Sequence, residues 1–220
     1  MTIKKLLIAN RGEIASRIIS SAHDMGISCV AIYTEADQDT PYVREADQAF
    51  KLSDSYLNSK EILDIAIKSN SDAIHPGYGF LSENAAFANQ VKKSNIKWVG
   101  PSANAIKKMG DKLTAKEIAI KANVPTLPMT SDPKKANSIG YPILVKAAAG
   151  GGGKGMRIVN KAKDLKESIK SAEREAEGGF GDKRVFLERY IARSRHIEIQ
   201  ILGDSYGNII HLGERECSIQ

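Results

Sequence analysis

The stretch YPILVKAAAGGGGKGM, residues 141–156, decides the fold of the second half of this chain. Its apolar strand leads into Lys146, and a run of glycines separates that strand from a second lysine, Lys154. The glycines are Gly150, Gly151, Gly152 and Gly153. Consecutive glycines are entropically costly, but their N–H groups can approach an anion closely where cations lie nearby. The pattern favours a phosphate-binding hairpin over the alternative, a flexible solvated hairpin tip, which has no need of flanking lysines.

This loop differs from a Walker P-loop, in which Ser or Thr directly follows the lysine and reaches magnesium. Here Gly155 and Met156 follow Lys154, so no hydroxyl group stands in that position. A glycine-rich hairpin with a lysine on the preceding strand suits a lid that folds over the phosphates of ATP.

The composition is typical of a globular protein, with 220 residues of which 42% are hydrophobic and 26% charged. No apolar run reaches the roughly 20 residues that are needed to span a membrane. The apolar run at residues 6–9 is too short for a secretory signal. We therefore expect a cytoplasmic protein with no membrane contact.

The net charge of +6 does not indicate a nucleic-acid partner, because the lysines are spread over helix faces and only 6% of residues are aromatic. Anionic small molecules fit this charge better. Cys29 and Cys217 lie far apart in apolar segments, which predicts two reduced, buried thiols. The Cys and His residues show no metal-type spacing, so the sequence predicts no metal ligands.

The first 110 residues alternate strands with helices, which predicts a parallel sheet covered on both faces. One helix carries apolar residues at helical spacing as far as Met25 and stops at Gly26, and Asn58 with Glu61 resembles a capping box. The first strand–helix turn, residues 9–14, carries one glycine where a dinucleotide-binding turn carries three. The fold class is therefore α/β and Rossmann-like, without support for NAD binding.

From Asp111 the pattern changes to an α+β unit with antiparallel hairpins. Asp111 is expected to cap a helix that runs to Ala122, and a later amphipathic helix is expected to end at Gly178 and Gly179. Strands are expected at residues 184–191, 196–202 and 209–212.

Lys112 lies at the start of the helix capped by Asp111. A cation in the first turn opposes the helix dipole, which favours a ligand-binding role, although a solvated lysine is an equal alternative. Residues 186–191 alternate apolar and polar side chains, which fits either a plain half-buried strand or the edge of an adenine pocket. In the second case Glu188 and the neighbouring backbone lie at the edge of the adenine, and Ile191 forms an apolar wall.

His196, Glu198 and Gln200 share one face of a predicted strand, and that face either binds a ligand or meets solvent. Residues 75–84 follow one strand and precede a helix, a place where open α/β sheets commonly bind ligands. The alternative for this segment is a tight turn followed by Ser82 as an N-cap.

Together these strings closely resemble the biotin carboxylase family, the ATP-grasp subunit or domain of biotin-dependent carboxylases. The resemblance covers the whole chain in order, and its segments are IANRGEIASRI, HPGYGFLSEN, GPSANAIKKMGDK, YPILVKAAAGGGGKGMRIV, FLERYI, SRHIEIQIL and GERECSIQ. It implies a Rossmann-like pre-ATP-grasp domain at residues 1–110 and the first part of an ATP-grasp domain at residues 111–220, with a lid at about residues 118–190.

The resemblance also implies an ATP site. Lys112 and Lys146 would meet the phosphates or the adenine side, and the backbone of residues 150–153 would close over the phosphates. The adenine would be lined by Glu188, Arg189, Tyr190 and Ile191; His196 would reach the ribose and phosphates, and Gln220 would lie near ATP and the substrate side. Tyr78 is a further candidate on the biotin or bicarbonate side.

In this family ATP phosphorylates bicarbonate, and the carboxyphosphate carboxylates N1 of biotin on a carrier domain, with Mg²⁺ bridging the phosphates. The implied partners are a biotin carboxyl carrier protein and a carboxyltransferase, and a homodimer is possible. Acetyl-CoA carboxylase of fatty acid biosynthesis is one implied context, beside propionyl-CoA and pyruvate carboxylases, because the sequence does not name the acyl acceptor.

The family's catalytic residues and acidic magnesium ligands correspond to positions after Gln220, so we expect the 220-residue polypeptide alone to be inactive. Two alternatives stay open. One is a truncated, non-catalytic nucleotide-binding module, and the other is a carbamoyl-phosphate-synthetase-type ATP-grasp ligase, which shares the bicarbonate chemistry. The strings HPGYGFLSEN and GERECSIQ favour biotin carboxylase over the second.

Overall fold

The structure, a computed structural model, describes residues 2–149 and 156–219. The chain divides into two compact units, a first unit at residues 1–108 and a second unit at residues 109–220. Each unit has a β-sheet and a hydrophobic core of its own.

The first unit is built on a five-stranded parallel sheet in the order β3-β2-β1-β4-β5. Its strands are β1 (Lys5–Ile8), β2 (Ser28–Tyr33), β3 (Gln48–Lys51), β4 (Ala73–His75) and β5 (Lys97–Trp98). Its helices are α1 (Gly12–Asp24), α2 (Pro41–Glu45), α3 (Ser59–Lys68), α4 (Ala85–Lys93) and α5 (Ala103–Gly110). The predicted α/β class is confirmed.

Successive residues of the central strands point to opposite faces of the sheet, and both faces are buried. Leu7 packs on the face that α3 and α4 cover, whereas Leu6 and Ile8 pack on the face that α1 covers. This arrangement explains why the strands are continuous apolar runs.

Side-chain caps fix where two helices of this unit, α3 and α4, begin. Asn58 accepts a hydrogen bond from the Glu61 N–H at 3.2 Å, as the sequence predicted. The α4 cap is Asn84, whose side chain accepts from the Phe87 N–H at 2.9 Å. The alternative in which Ser82 caps this helix is therefore wrong. Met25 is 74% exposed, so the buried face of α1 does not extend to it.

The second unit contains a four-stranded antiparallel sheet in the order β6-β9-β7-β8 and a two-stranded hairpin. Its strands are β6 (Met129–Thr130), β7 (Ile143–Ala147), β8 (Arg157–Val159), β9 (Val185–Arg189) and the hairpin strands β10 (Ile197–Gly203) and β11 (Ile209–Glu216). Its helices are α6 (Lys112–Lys121), α7 (Ala136–Ile139) and α8 (Leu165–Phe180). One face of the four-stranded sheet packs on α8 through Val145, Leu187 and Ala172.

Helix α8 passes through Gly178 and Gly179, so the prediction that it ends there is wrong. It ends instead at Gly181, which has φ 68° and adopts the left-handed conformation common after helices. Ala172 and Ala176 are fully buried, and their packing outweighs the roughly 1 kcal/mol that each interior glycine costs a helix.

Both cysteines are free and buried, as expected from the sequence. Burial raises the pKa of the Cys29 thiol to about 11, which keeps it protonated at neutral pH. Among the described residues, no helix is both long and apolar enough to cross a bilayer.

A buried polar network joins the ends of β1 and β2. Asp37, whose side chain is 3% exposed, accepts hydrogen bonds from the Arg11 guanidinium and from the Tyr56 hydroxyl. The hydroxyl oxygen of Tyr56 in turn lies 2.9 Å from the hydroxyl oxygen of Tyr42. The Arg11 hydrogen bonds hold the pKa of Asp37 below its usual value, even though burial opposes this.

We predict that Asp37→Asn lowers the free energy of unfolding by about 2 kcal/mol, because it leaves Arg11 and Tyr56 without their anionic acceptor. The pKa of Asp37 is lower in the folded state than in the unfolded state. Its stabilisation is therefore complete above a pH of about 4 and is lost as the pH falls through the folded-state pKa. Urea unfolding of both proteins between neutral and acid pH measures this.

Asp39→Asn is the matched control, since Asp39 is exposed in the same loop. A stability difference between Asp37→Asn and the wild type that persists undiminished at low pH would contradict the role of the charge.

Candidate functional site

The strand register of the second unit places Lys146 and Glu188 on one face of the sheet. Glu188 pairs with Leu144 and Lys146 pairs with Phe186 across β7 and β9. Because side chains of alternate residues share a face, all four side chains lie opposite the face that α8 covers. The sheet thus presents a lysine and a carboxylate side by side.

Glu188 is the centre of a double ion pair. Its Oε2 lies 2.5 Å from Lys146 Nζ, and its Oε1 accepts a hydrogen bond from Lys116 Nζ. The side chains are 10% exposed for Glu188, 12% for Lys116 and 25% for Lys146. Two cations therefore meet one carboxylate in a largely desolvated place, which leaves an excess positive charge.

Burial by itself would raise the pKa of Glu188. The hydrogen bonds from Lys116 and Lys146 and their positive charges outweigh it, so the pKa is lowered and Glu188 is ionised at neutral pH. The pKa of Lys112 is lowered by burial first and then by the nearby positive charge of Lys146. We call Lys112, Lys116 and Lys146 the lysine cluster.

Helix α6 supplies two members of the lysine cluster from one face, since Lys112 and Lys116 are four residues apart. The helix begins where the sequence predicted, because Asp111 Oδ1 accepts from the Thr114 N–H at 2.8 Å. Lys112 Nζ lies 3.3 Å from the carbonyl oxygen of Ala147 and 3.5 Å from that of Ala149. Its ammonium group thus lies at the carboxyl end of β7.

That end of β7 leads directly into the glycine-rich loop. Residues 150–155 lie outside the described residues, as does Gln220, so the roles predicted for Gly150 to Gly153 and for Gln220 stay predictions. On either side of the loop, Ala149 and Met156 are described. The lysine cluster thus lies at the base of the segment predicted to cover phosphates.

The residues predicted to line an adenine follow Glu188 along the chain. The N–H groups of Arg189 and Tyr190 donate to the carbonyl oxygens of Pro128 and Pro142, each at 3.1 Å. These two N–H groups are engaged inside the unit. Ile191, by contrast, is 45% exposed and provides an apolar surface next to the strand end.

His196 lies at the start of the hairpin, and its side chain is 56% exposed. Its Nε2 is 3.3 Å from Glu198 Oε1, and its N–H donates to Ser218 Oγ at 2.9 Å. Within the part of the chain that the structure describes, these contacts belong to the hairpin and its continuation. The structure therefore groups Lys112, Lys146 and Glu188 but does not bring His196 into that group.

Tyr78 belongs to the first unit. Its hydroxyl donates to the Glu13 carboxylate, and its carbonyl oxygen accepts from Asn10 Nδ2 at 2.7 Å. Gly77 is required here because a Cβ at this position would lie 2.6 Å from Asn10 Nδ2. The loop after β4 is thereby fixed against the turn after β1, at the carboxyl edge of the parallel sheet, and Tyr78 is 59% exposed.

Sequence reasoning missed Lys116. Its position four residues after Lys112 on a predicted helix was the available signal, but it did not indicate a partner. Only the fold shows that Lys116 reaches Glu188, which is 72 residues away in the chain.

Two family models match this chain. The one described as biotin carboxylase, N-terminal domain, matches residues 2–106. The one described as carbamoyl-phosphate synthase L chain, ATP binding domain, matches residues 111–220. The two matched regions leave only residues 107–110 between them.

Similar whole proteins include biotin carboxylase 1 of Bacillus subtilis, which is 51% identical over 99% of this chain and 51% of its own length. Pyruvate carboxylase of Staphylococcus aureus is 46% identical over 99% of this chain and 20% of its own length. The chain thus spans about half the length, or less, of the curated relatives it matches.

Among solved structures, the biotin carboxylase domain dimer of Hydrogenobacter thermophilus 2-oxoglutarate carboxylase superposes with a TM-score of 0.95 and 45% identity, covering 100% of this chain and 51% of that one. That structure was determined in complex with MgADP, ADP and bicarbonate. The family matches, the relatives and this fold agree: the chain belongs to the biotin carboxylase family, with its N-terminal domain followed by an ATP-binding domain of the ATP-grasp type.

Proposed function

We propose that this chain is the nucleotide-binding part of a biotin carboxylase, an ATP-dependent ligase that carboxylates carrier-bound biotin with bicarbonate. The observation that carries the proposal is the lysine cluster around Glu188 at the base of the glycine-rich loop. The ammonium groups of Lys116 and Lys146 share one carboxylate there, so this pair of lysines leaves one excess positive charge for a polyphosphate.

In this proposal Lys112 and Lys146 bind the phosphates of ATP. The backbone of residues 150–153 closes over them, as a lid extending over about residues 118–190 folds down. The apolar side chain of Ile191 contacts the adenine, and Glu188, Arg189 and Tyr190 also lie beside the adenine. His196 reaches the ribose and phosphates, and Gln220 lies near ATP and the substrate side. The proposed domain boundary lies near residue 110.

The site residues act by binding and orientation. Glu188 holds Lys116 and Lys146 in place before ATP arrives, so little ordering is left to be done when the phosphates bind. The ammonium groups then offset negative charge that develops as a phosphoryl group moves to bicarbonate. Magnesium supplies further charge neutralisation when it is bound with the nucleotide. Glu188 is a poor ligand for it, because two lysines already engage its oxygens.

The proposed partners are bicarbonate, a biotin carboxyl carrier protein and a carboxyltransferase, and a second copy of the chain. The dimer and the bicarbonate of the 2-oxoglutarate carboxylase structure support two of these. The acyl or keto acid acceptor stays open, because the similar proteins include a pyruvate and a 2-oxoglutarate carboxylase. The N-terminal family match favours biotin carboxylase over a carbamoyl-phosphate synthetase, despite the description of the second match.

The reaction is tested with the complete protein that contains this chain. We expect bicarbonate-dependent ATP hydrolysis that free biotin stimulates, measured by release of inorganic phosphate. ATP hydrolysis that free biotin does not stimulate, or that depends on ammonia or glutamine instead of bicarbonate, would contradict the proposal.

The phosphate-binding role predicts that Lys146→Ala weakens ATP binding about 10- to 100-fold, the loss of one charge-assisted hydrogen bond worth about 1.5–3 kcal/mol. A fluorescent ATP analogue titrated into the protein measures the dissociation constant. Adenosine binding should change much less, because it lacks phosphates. Lys121→Ala is the control, since Lys121 is exposed at the far end of α6; equal effects of the two substitutions would refute the assignment.

The positioning role of Glu188 predicts that Glu188→Gln lowers the free energy of unfolding by about 3 kcal/mol, because two largely buried ammonium groups lose their counter-charge. The folded-state pKa of Glu188 lies below the unfolded value. Its contribution is therefore present at neutral pH and disappears as the pH falls below about 4. Chemical unfolding monitored by circular dichroism provides the measurement, with the exposed Glu177→Gln as the matched control. A variant as stable as the control at pH 7 would show that the double ion pair does not hold this site together.

A further inference from the structure

Three side chains with metal-binding chemistry meet in the first unit, whereas the lysine cluster belongs to the second. His23 lies in the last turn of α1, Cys29 is the second residue of β2, and Asp47 directly precedes β3. The spacing of these residues gave no signal in the sequence. The parallel order β3-β2-β1 and the packing of α1 on that sheet bring them together.

The ligand atoms are His23 Nε2, Cys29 Sγ and a carboxylate oxygen of Asp47, and all lie within 4.8 Å of one another. His23 Nε2 and Asp47 Oδ2 are 3.0 Å apart. Ligand atoms around a tetrahedral zinc ion lie about 3.5 Å apart, given metal–ligand bonds of about 2.0–2.3 Å. Movements of about 1 Å, within reach of side-chain torsions, would therefore complete a coordination sphere.

The backbone supports this arrangement. The Cys29 N–H donates to Asp47 Oδ2 at 2.7 Å, which fixes the carboxylate against β2. Cys29 is itself held in register with Leu6 of the central strand. The Cys29 backbone and the Asp47 carboxylate are therefore held together before any ion binds.

The position also allows an ion to enter. The side chains of His23 and Asp47 are 41% and 48% exposed, whereas Cys29 is fully buried beneath them. An open depression of about 310 Å³ lies in front, lined by His23, Gly26, Ile27, Ser28 and Asp47. A fourth coordination position would face this depression and take water.

We propose that His23, Cys29 and Asp47 form a binding site for a divalent transition metal of the zinc type, with three protein ligands and one water. Imidazole nitrogen, thiolate sulfur and carboxylate oxygen are the ligands that zinc takes in proteins. The thiol binds as thiolate, so each metal ion forms one metal–sulfur bond and releases one proton to the solvent. The two anionic ligands balance the charge of the ion. Such a metal ion would link α1, β2 and β3.

The test uses Co²⁺ as a spectroscopic probe for zinc, added to the protein after treatment with a chelator. We expect one equivalent to bind, with a near-ultraviolet thiolate-to-cobalt band and intense visible bands of a tetrahedral site, and Zn²⁺ to displace it. Isothermal titration in two buffers of different ionisation enthalpy should show one proton released per metal. A protein that gives no thiolate–cobalt band would overturn the proposal.

Substitutions identify the ligands. His23→Gln, Cys29→Ser and Asp47→Asn should each weaken Co²⁺ binding at least tenfold, and Cys29→Ser should remove the thiolate band. Cys217→Ser and His211→Gln are the matched controls, with one thiol and one imidazole of the second unit removed, and should bind Co²⁺ as the wild type does. His23 is exposed, so His23→Gln keeps the test valid if the other variants fold poorly; unchanged binding by this variant would refute the site.

Discussion

The carboxylate of Glu188, held between Lys116 and Lys146, is the interaction on which the second unit depends most. It joins helix α6 to strands β7 and β9, which lie far apart along the chain. Taking a carboxylate and two ammonium groups out of water is costly, and the mutual attraction of such a buried group does not always repay that cost. Stability alone therefore does not explain this arrangement well. A better explanation is that it holds positive charge at the end of the strand that leads into the glycine-rich loop.

The remaining features of the unit keep that charge in place. Asp111 caps α6 and fixes the turn from which Lys112 reaches the carbonyl oxygens of Ala147 and Ala149. Helix α8 covers the opposite face of the sheet, so the lysine-bearing face contacts α6 through Lys116 instead. Local capping, sheet register and core packing all serve one electrostatic arrangement.

Much of this could be predicted from the sequence because the signals are local. The glycine run, the apolar strand that leads into Lys146 and the cap at Asp111 each depend on neighbouring residues. The errors had both tertiary and local causes. Buried Ala172 and Ala176 carry α8 through two glycines, and Asn84 is preferred over Ser82 because it stands directly before the helix. Strand β3 gives little signal in the sequence, because it is short, mostly exposed and apolar only at Phe50 and Ala49.

Contacts between side chains that lie far apart along the chain could not be predicted from the sequence either. Lys116 reaches Glu188 across 72 residues, and Cys29 meets Asp47 across 18. No spacing rule predicts either contact, because the first depends on how α6 packs on β9 and the second on the pairing of β2 with β3. The residue types at Lys112, Lys146 and Glu188 indicated a ligand-binding role. The residues that contact these three side chains, by contrast, could be identified only from the fold.

The most direct test of this account is a crystal structure of the chain with an ATP analogue whose β–γ bridge resists hydrolysis. The account predicts the ammonium groups of Lys112 and Lys146 within ion-pair distance of the analogue's phosphate oxygens, with Lys116 still bonded to Glu188. Phosphates bound elsewhere, with Lys146 left on Glu188 alone, would contradict it.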